Sequence, residues 1–160
     1  MTARVVSIRA DCGARHGYGH VMRSLTVARA LLHGGARPCF IMARYSDPTP
    51  VAEAGIEVRH LAANGLGADE MAGVLPPDDG PLLLDTYDVG PGDLRILRDA
   101  GFRVALFDDG RRLESYPCDA VIDPAPEAAS LPYRGLPETV FCLGSRYFPL
   151  RDEFRRGRRD

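Results

Sequence analysis

Short apolar runs alternate with helical patterns along almost the whole chain, and this alternation constrains the fold more than any other feature. The leucine run within Pro81–Asp85 is short and uninterrupted by polar residues, which is typical of a strand buried on both faces. The other runs that predict strands are Arg4–Ala10, Pro38–Ala43, Ile56–Leu61, Phe102–Phe107, Ala120–Ile122 and Val140–Leu143. Helical spacing predicts helices over Gly19–His33, Pro50–Ala54, Ala68–Leu75 and Gly92–Ala100. Together these segments predict an α/β fold, a three-layer sandwich on a mainly parallel, Rossmann-like sheet.

The length of 160 residues suits one domain. We expect that domain to occupy residues 1–150. The last six residues hold four arginines and no apolar side chain to bury, so residues 151–160 are interpreted as the start of an interdomain linker.

Composition argues against several classes of protein. The net charge of −2, with arginines scattered until the end of the chain, predicts no nucleic-acid partner. No apolar run approaches the roughly 20 residues of a membrane span, and the chain starts as a short strand rather than a signal peptide, so we expect a cytoplasmic protein. All 20 basic residues are arginine, which excludes lysine Schiff bases and a phosphate-loop lysine.

The four cysteines form no CxxC pair and are expected to be buried free thiols.

A glycine-rich turn, Gly17-Tyr18-Gly19, separates the first strand from the helix Gly19–His33 and delivers His20 to the first helical turn. The positive end of the helix dipole favours neutral imidazole, the form that can accept a proton. The two glycines let the backbone turn tightly and let a ligand approach it closely. We interpret the turn as a functional site, with a capping or packing role for His20 as the alternative.

Further polar residues follow successive predicted strands. Asp11 follows the first strand, and Asp123 follows the short strand that ends at Ile122. The leucine strand is followed by Asp85, Tyr87 and Asp88, and the strand Phe102–Phe107 by Asp108 and Asp109. Ligands of open parallel sheets bind beyond the carboxyl ends of the strands, so these residues are predicted to share one rim with His20. There Tyr87 would bind a sugar by stacking and through its hydroxyl, with simple packing as the alternative.

Two other patterns lie at this rim. Asp108-Asp109 looks like a pair of carboxylates, but neighbours at a strand end usually point apart, which favours a turn cap or an ion pair with Arg111. The spacing of Cys12, His16 and His20 lacks a fourth ligand for zinc, so no metal and no cofactor is predicted.

Dinucleotide binding is also disfavoured. The turn Gly17-Tyr18-Gly19 lacks the third glycine of that fingerprint, because Met22 stands in its place.

With these residues laid out, the chain resembles the N-terminal domain of the UDP-sugar hydrolase family of pseudaminic acid biosynthesis and of related spore-coat polysaccharide proteins. The most specific motif is Gly17-x-Gly-His-Val-Met-Arg23 at the strand–helix turn. The other matching segments are Arg9-Ala-Asp11, Leu84-Asp-Thr-Tyr87, Phe107-Asp-Asp109, Cys118-Asp119 and Gly144 through Tyr147 to Phe154. These motifs keep the family's order over nearly the whole chain.

Two departures from the family pattern bear on specificity. The family often has Asp-His-Tyr where this chain has Asp85-Thr86-Tyr87, and an asparagine where Asp123 stands. The first departure points to a different sugar or to a spore-coat-type relative.

The resemblance implies the N-terminal half of a GT-B fold, whose C-terminal domain holds most of the nucleotide and is not among these residues. It also implies metal-independent, inverting attack of water on the anomeric carbon of a UDP-diacetamido-trideoxyhexose. By its place in the motif, His20 would accept the proton of that water. The residues expected to bind the substrate are Asp11, Gly17, Tyr18, Gly19, Arg23, Asp85, Tyr87 and Asp108.

Two other functions stay open. A GT-B glycosyltransferase N-domain is one, since the lipid II-forming N-acetylglucosaminyltransferase also has a glycine turn and a histidine after its first strand. A non-catalytic sugar-binding or scaffold module is the other. We expect residues 1–160 alone to be inactive, or nearly so, as a hydrolase.

Overall fold

The computed structural model describes residues 4–13, 17–62, 65–75, 80–150 and 154. The strands are β1 (Val5–Ala10), β2 (Arg37–Ala43), β3 (Glu57–Leu61), β4 (Leu82–Asp85), β5 (Val104–Phe107), β6 (Ala120–Asp123) and β7 (Val140–Leu143). The α-helices are α1 (Gly19–His33), α2 (Thr49–Glu53), α3 (Ala68–Val74) and α4 (Pro91–Asp99), and single 3₁₀ turns lie at Ala128–Ser130 and Ser145–Tyr147.

The strands form one parallel sheet in the order β3-β2-β1-β4-β5-β6-β7. From β1 the chain builds outward through β2 to β3, then returns to place β4 on the other side of β1. The direction of winding therefore reverses between β1 and β4. A reversal of this kind opens a crevice at the carboxyl ends of the two strands, where α/β proteins bind their ligands.

Helices cover both faces of the sheet, which confirms the expected three-layer α/β sandwich. On one face Val21, Leu25 and Ala28 of α1 and Val51 of α2 join a buried cluster with residues of β1, β2 and β4. On the other face α3 and α4 pack with a second buried cluster. All four residues of β4 are buried, as the leucine run predicts.

Each predicted strand and helix is present, with ends shifted by one or two residues, and α1 and β7 have the predicted bounds. The largest shift is at β5, which begins at Val104 because Phe102 donates its amide to the Leu97 carbonyl at 3.1 Å and closes α4. Helix α4 begins early because the carboxylate of Asp93 accepts the Gly90 amide at 2.8 Å. The expected linker lies outside the described residues, apart from Phe154.

The four cysteines are free thiols, as expected, but Cys142 is only partly buried. Burial raises the pKa of Cys39 to about 11 and that of Cys118 to about 12.

Of the three residues in the zinc alternative, His16 lies outside the described part of the chain, and the described part holds no group of three or more residues placed to bind a metal. None of the described helices is long and apolar enough to cross a membrane.

Candidate functional site

The buried carboxylate of Asp85, the last residue of β4, organises the site at the carboxyl edge of the sheet. Its Oδ1 contacts Nδ1 of His20 at 2.7 Å and accepts a hydrogen bond from Nη2 of Arg23 at 2.6 Å. Its Oδ2 accepts from Nε of Arg23 at 3.1 Å and from the Ser24 hydroxyl at 2.9 Å. Asp85 has no exposed surface. Four donor atoms from one helix therefore converge on a single buried carboxylate.

This contact fixes the chemistry of His20. A carboxylate only accepts hydrogen bonds, so Nδ1 of His20 carries the hydrogen, and in the neutral ring Nε2 is then the proton acceptor. The side chain of His20 is 11% exposed. A histidine whose proton acceptor is oriented by a buried carboxylate is the arrangement of a general base.

Arg23 ties the first turns of α1 to the neighbouring strands. Beyond its two bonds to Asp85, Nη1 donates to Oδ1 of Asp109 at 2.7 Å and Nη2 to Oδ2 at 3.2 Å. Its guanidinium carbon lies 4.7 Å from the centroid of the Phe107 ring. Burial alone would lower the pKa of Arg23, but its hydrogen bonds to Asp85 and Asp109 outweigh burial and raise it. Arg23 is thus a fixed cation between two carboxylates.

Tyr87 forms the exposed wall of the site. Its hydroxyl donates to Oδ2 of Asp109 at 3.0 Å, and its ring centroid lies 4.5 Å from that of His20 with the planes nearly perpendicular. Partial burial and the bond to Asp109 raise the pKa of Tyr87, so the phenol keeps its hydrogen at neutral pH. The residue is 52% exposed, which leaves much of it accessible to a ligand.

Asp109 is predicted at this rim but not among the substrate-binding residues, and the structure brings it into the hydrogen-bonded group around Asp85. Burial would raise its pKa, but hydrogen bonds from Arg23 and Tyr87 hold that pKa below its ordinary value. It links Arg23 to Tyr87, and both partners are far away in the sequence. The sequence signal for Asp109 is its place beside Asp108, directly after the predicted strand Phe102–Phe107.

The glycine turn leads into α1 as predicted. Gly13 and Gly17 exchange backbone hydrogen bonds of 3.1 and 2.8 Å, and Gly17 has a φ of 66° that favours glycine. Tyr18 is the residue before the helix and donates its hydroxyl to Asp47 at 3.1 Å. Among the described residues no side chain caps α1, and its first turn contains no acid. The first-turn amides therefore suit an anionic group.

Two predicted rim residues lie deeper than expected. Asp11 is buried, accepts the Ala43 amide at 2.7 Å and pairs with Arg9 at 2.6 Å, so it joins β1 to β2 beneath the rim. Asp108 is also fully buried and accepts the hydroxyl of Tyr116 at 2.6 Å, with the Tyr133 hydroxyl at 2.9 Å shared with Asp123. Both carboxylates support the rim from below instead of lining it.

The expected ion pair with Arg111 is replaced by one with Arg112, whose Nε lies 3.2 Å from Asp108 Oδ1. Arg111 has a positive φ of 58°, and its Nε donates to the Pro132 carbonyl at 2.9 Å. The backbone amide of Arg112 donates to Asp108 at 3.2 Å, so the predicted turn cap is present.

An open cleft of about 410 Å³ adjoins the hydrogen-bonded group of His20, Asp85, Arg23 and Asp109. Arg23 and Asp109 contribute to one of its walls. The residues that complete the lining are Pro124, Ala125, Pro126, Ser145 and Phe148. This volume falls within the range of small-molecule sites.

Comparisons with known proteins show the fold. No protein-family model matches the chain, and no curated protein matches it. Among solved structures the chain is similar to MurG of Acinetobacter baumannii, a GT-B glycosyltransferase, with a TM-score of 0.52 at 14% sequence identity. The match covers 84% of this chain and 44% of the MurG chain, so this chain spans less than half of that protein. The likeness supports a GT-B-like domain, and the comparisons bring no support for the pseudaminic acid hydrolase family.

Proposed function

We propose that this chain is the N-terminal half of a two-domain GT-B enzyme that cleaves the anomeric bond of a nucleotide sugar, with His20 as the general base. One observation carries the proposal: Asp85 orients His20 at the start of an uncapped helix, at the carboxyl edge of a parallel sheet. A UDP-sugar is the proposed substrate, and a second domain, outside residues 1–160, is the proposed partner that completes its site.

The proposed step needs a base and an anion site close together. A hydroxyl nucleophile attacks the anomeric carbon while its proton passes to Nε2 of His20, and the bond from that carbon to the diphosphate oxygen breaks. Asp85 stabilises the positive charge that forms on the ring. The diphosphate leaves as a stable anion, which the amides after Gly17-Tyr18-Gly19 are suited to meet. Tyr87 would contact the sugar.

Transfer of the sugar to an acceptor hydroxyl is the favoured reaction, because the similar fold of MurG belongs to a glycosyltransferase. Hydrolysis is the second candidate, with water as the nucleophile. The motif Gly17-x-Gly-His-Val-Met-Arg23 favours it, and so does the small exposed fraction of His20, which suits a nucleophile as small as water. The same base serves both reactions.

The test measures UDP release from UDP-N-acetylglucosamine and from a UDP-diacetamido-trideoxyhexose, with and without an alkyl glycoside acceptor. It uses the complete protein encoded by the gene that contains residues 1–160. Release that requires the acceptor and glycosylates it supports the transferase, whereas release of UDP and free sugar without acceptor supports the hydrolase. Absence of release from either sugar nucleotide under both conditions would overturn the proposal.

We expect His20→Ala to lower turnover by at least about 10²-fold while KM stays within about tenfold, because a proton acceptor acts in the transition state. His33→Ala is the matched control, since His33 is an exposed histidine in the last turn of the same helix. The resemblance implies a metal-independent reaction, so EDTA should leave turnover unchanged. Full activity in the His20 variant would show that the assigned base is wrong.

A further inference from the structure

Arg112 holds the wall of the site in place from outside the group of hydrogen-bonded residues around Asp85. Its guanidinium carbon lies 4.4 Å from the centroid of the Tyr87 ring. The same guanidinium donates from Nη1 to the Tyr87 carbonyl and from Nη2 to the Thr86 carbonyl, each at 3.3 Å. We propose that Arg112 is a positioning residue that orients Tyr87 toward the sugar site and so tunes which sugar is accepted.

Arg112 is itself anchored to the buried side of the sheet. Its Nε forms an ion pair with Oδ1 of Asp108 at 3.2 Å, and among the described residues neither of these two buried atoms makes a hydrogen bond. Oδ2 of Asp108 accepts the hydroxyl of Tyr116 at 2.6 Å, and the single hydroxyl hydrogen of Tyr133 is shared between Asp108 at 2.9 Å and Asp123 at 2.6 Å. Burial and the bond to Asp108 raise the pKa of Tyr116, and burial and hydrogen bonds to Asp123 and Asp108 raise the pKa of Tyr133, so both hydroxyls keep their hydrogens at neutral pH. The buried carboxylate therefore fixes the direction in which Arg112 reaches over Tyr87.

Tyr87 needs this support because it is half exposed and follows the end of β4. The Asp109 carboxylate holds its hydroxyl, His20 contacts its ring nearly at right angles, and Arg112 covers the ring and binds the backbone. Without Arg112, the carbonyls of Thr86 and Tyr87 lose their donors and the ring loses its cation. The Tyr87 side chain would then be positioned only by its hydrogen bond to Asp109 and its ring contact with His20.

The inference rests on the proposed function for its substrate but not for its geometry. In the described part of the chain, Arg112 forms its side-chain contacts with Asp108, Thr86 and Tyr87 and no hydrogen bond or ion pair with His20 or Asp85, so it should not alter the base directly. If Tyr87 contacts the sugar, loss of Arg112 should weaken sugar binding more than the chemical step. That predicts a rise in KM with little change in kcat.

The direct experiment compares Arg112→Gln with wild type by NMR on residues 1–160, following the ring signals of Tyr87 and His20. A Tyr87→Phe variant assigns the tyrosine signals. Arg95→Gln, which removes an exposed arginine from α4, is the control. We expect Arg112→Gln to shift the signals of both rings and Arg95→Gln to leave them in place. A folded Arg112→Gln protein with wild-type ring signals would overturn the proposal.

Arg112→Lys covers the case in which the glutamine variant does not fold. Lysine keeps the charge beside Asp108 but lacks the planar fork that reaches two carbonyls while lying over a ring. We expect the lysine variant to fold and to show the ring shifts, and unchanged rings in it would equally overturn the proposal.

Kinetics separate this inference from the proposed function. In the active, complete protein we expect Arg112→Gln to raise KM for the sugar nucleotide by about three- to tenfold with kcat within about twofold. An unchanged KM in an active enzyme would overturn the role of Arg112 in substrate positioning while leaving the proposed function intact. If the enzyme shows no activity, the proposed function fails and the NMR comparison still decides whether Arg112 orients Tyr87.

Discussion

Removing the charge of Asp85 should cost more stability than any comparable change at the rim. Asp85→Asn keeps the shape of the side chain but replaces one of its two oxygens with a donor. Four donor atoms of His20, Arg23 and Ser24 point at those oxygens, so about half of the contacts become donor against donor.

The magnitude follows from burial. Hydrogen bonds to a charged group contribute about 1.5–3 kcal/mol each, and breaking a buried ion pair by removing one partner costs about 3–5 kcal/mol. Asp85 is fully buried and its partner Arg23 is 18% exposed, so the second range applies. We expect Asp85→Asn to lower the free energy of unfolding by about 3–5 kcal/mol.

The matched control is Asp109→Asn, which removes a carboxylate from the same arginine. The Asp109 side chain is 34% exposed, so its loss should cost about 1 kcal/mol. The double variant Arg23→Gln/Asp85→Asn should lose about 1–3 kcal/mol less free energy of unfolding than the two single variants together, because the two side chains interact directly.

The assay is urea denaturation at pH 7 followed by far-ultraviolet circular dichroism, because the chain contains no tryptophan to report by fluorescence. The m-values of all variants should agree. A cost below about 1 kcal/mol for Asp85→Asn, or an equal cost for Asp109→Asn, would refute the reasoning.

Two further predictions concern the chain as a whole and its acid stability. Residues 1–160 alone should bind UDP weakly, because the resemblance places the nucleotide site in a second domain; calorimetry showing tight binding would contradict this. Asp109 has a lowered pKa, so its contribution to stability is fully present above its unfolded pKa of about 3.9 and is lost as pH falls through the lower folded value. The stability advantage of wild type over Asp109→Asn should therefore shrink below about pH 4, and an advantage that stays constant from pH 7 to about pH 3 would count against the Arg23–Asp109 contact.

The alternation of strands and helices was readable from sequence because each element obeys one local rule. The leucines of β4 have no polar alternation because both faces of that strand are covered. The three-to-four spacing in α1 matches one buried stripe that includes Val21, Leu25 and Ala28. The 3₁₀ turns after β6 and β7 are too short to show such periodicity, so the sequence does not predict them.

The depth of each rim carboxylate could not be read from sequence. Asp108 and Asp109 are neighbours, yet one is fully buried and the other bonds to Arg23 and Tyr87 at the rim. Successive residues at a strand end point to opposite sides, but the side that faces the core depends on tertiary packing. The tyrosines that bind Asp108 follow it by 8 and 25 residues, so no local pattern identifies them.

The site is assembled by tertiary structure, and this separates its chemistry from its stability. His20 and Arg23 come from α1, Asp85 from β4 and Asp109 from the segment after β5, so they meet only when β4 returns to the side of β1. Arg23 makes most of the bonds that hold this group together, while His20 makes one bond to Asp85 and lies at its edge. Changes at Arg23 or Asp85 therefore alter folding and chemistry together. His20→Ala removes the proposed base while the Arg23 bonds remain, which makes it the substitution whose effect on turnover can be assigned to chemistry.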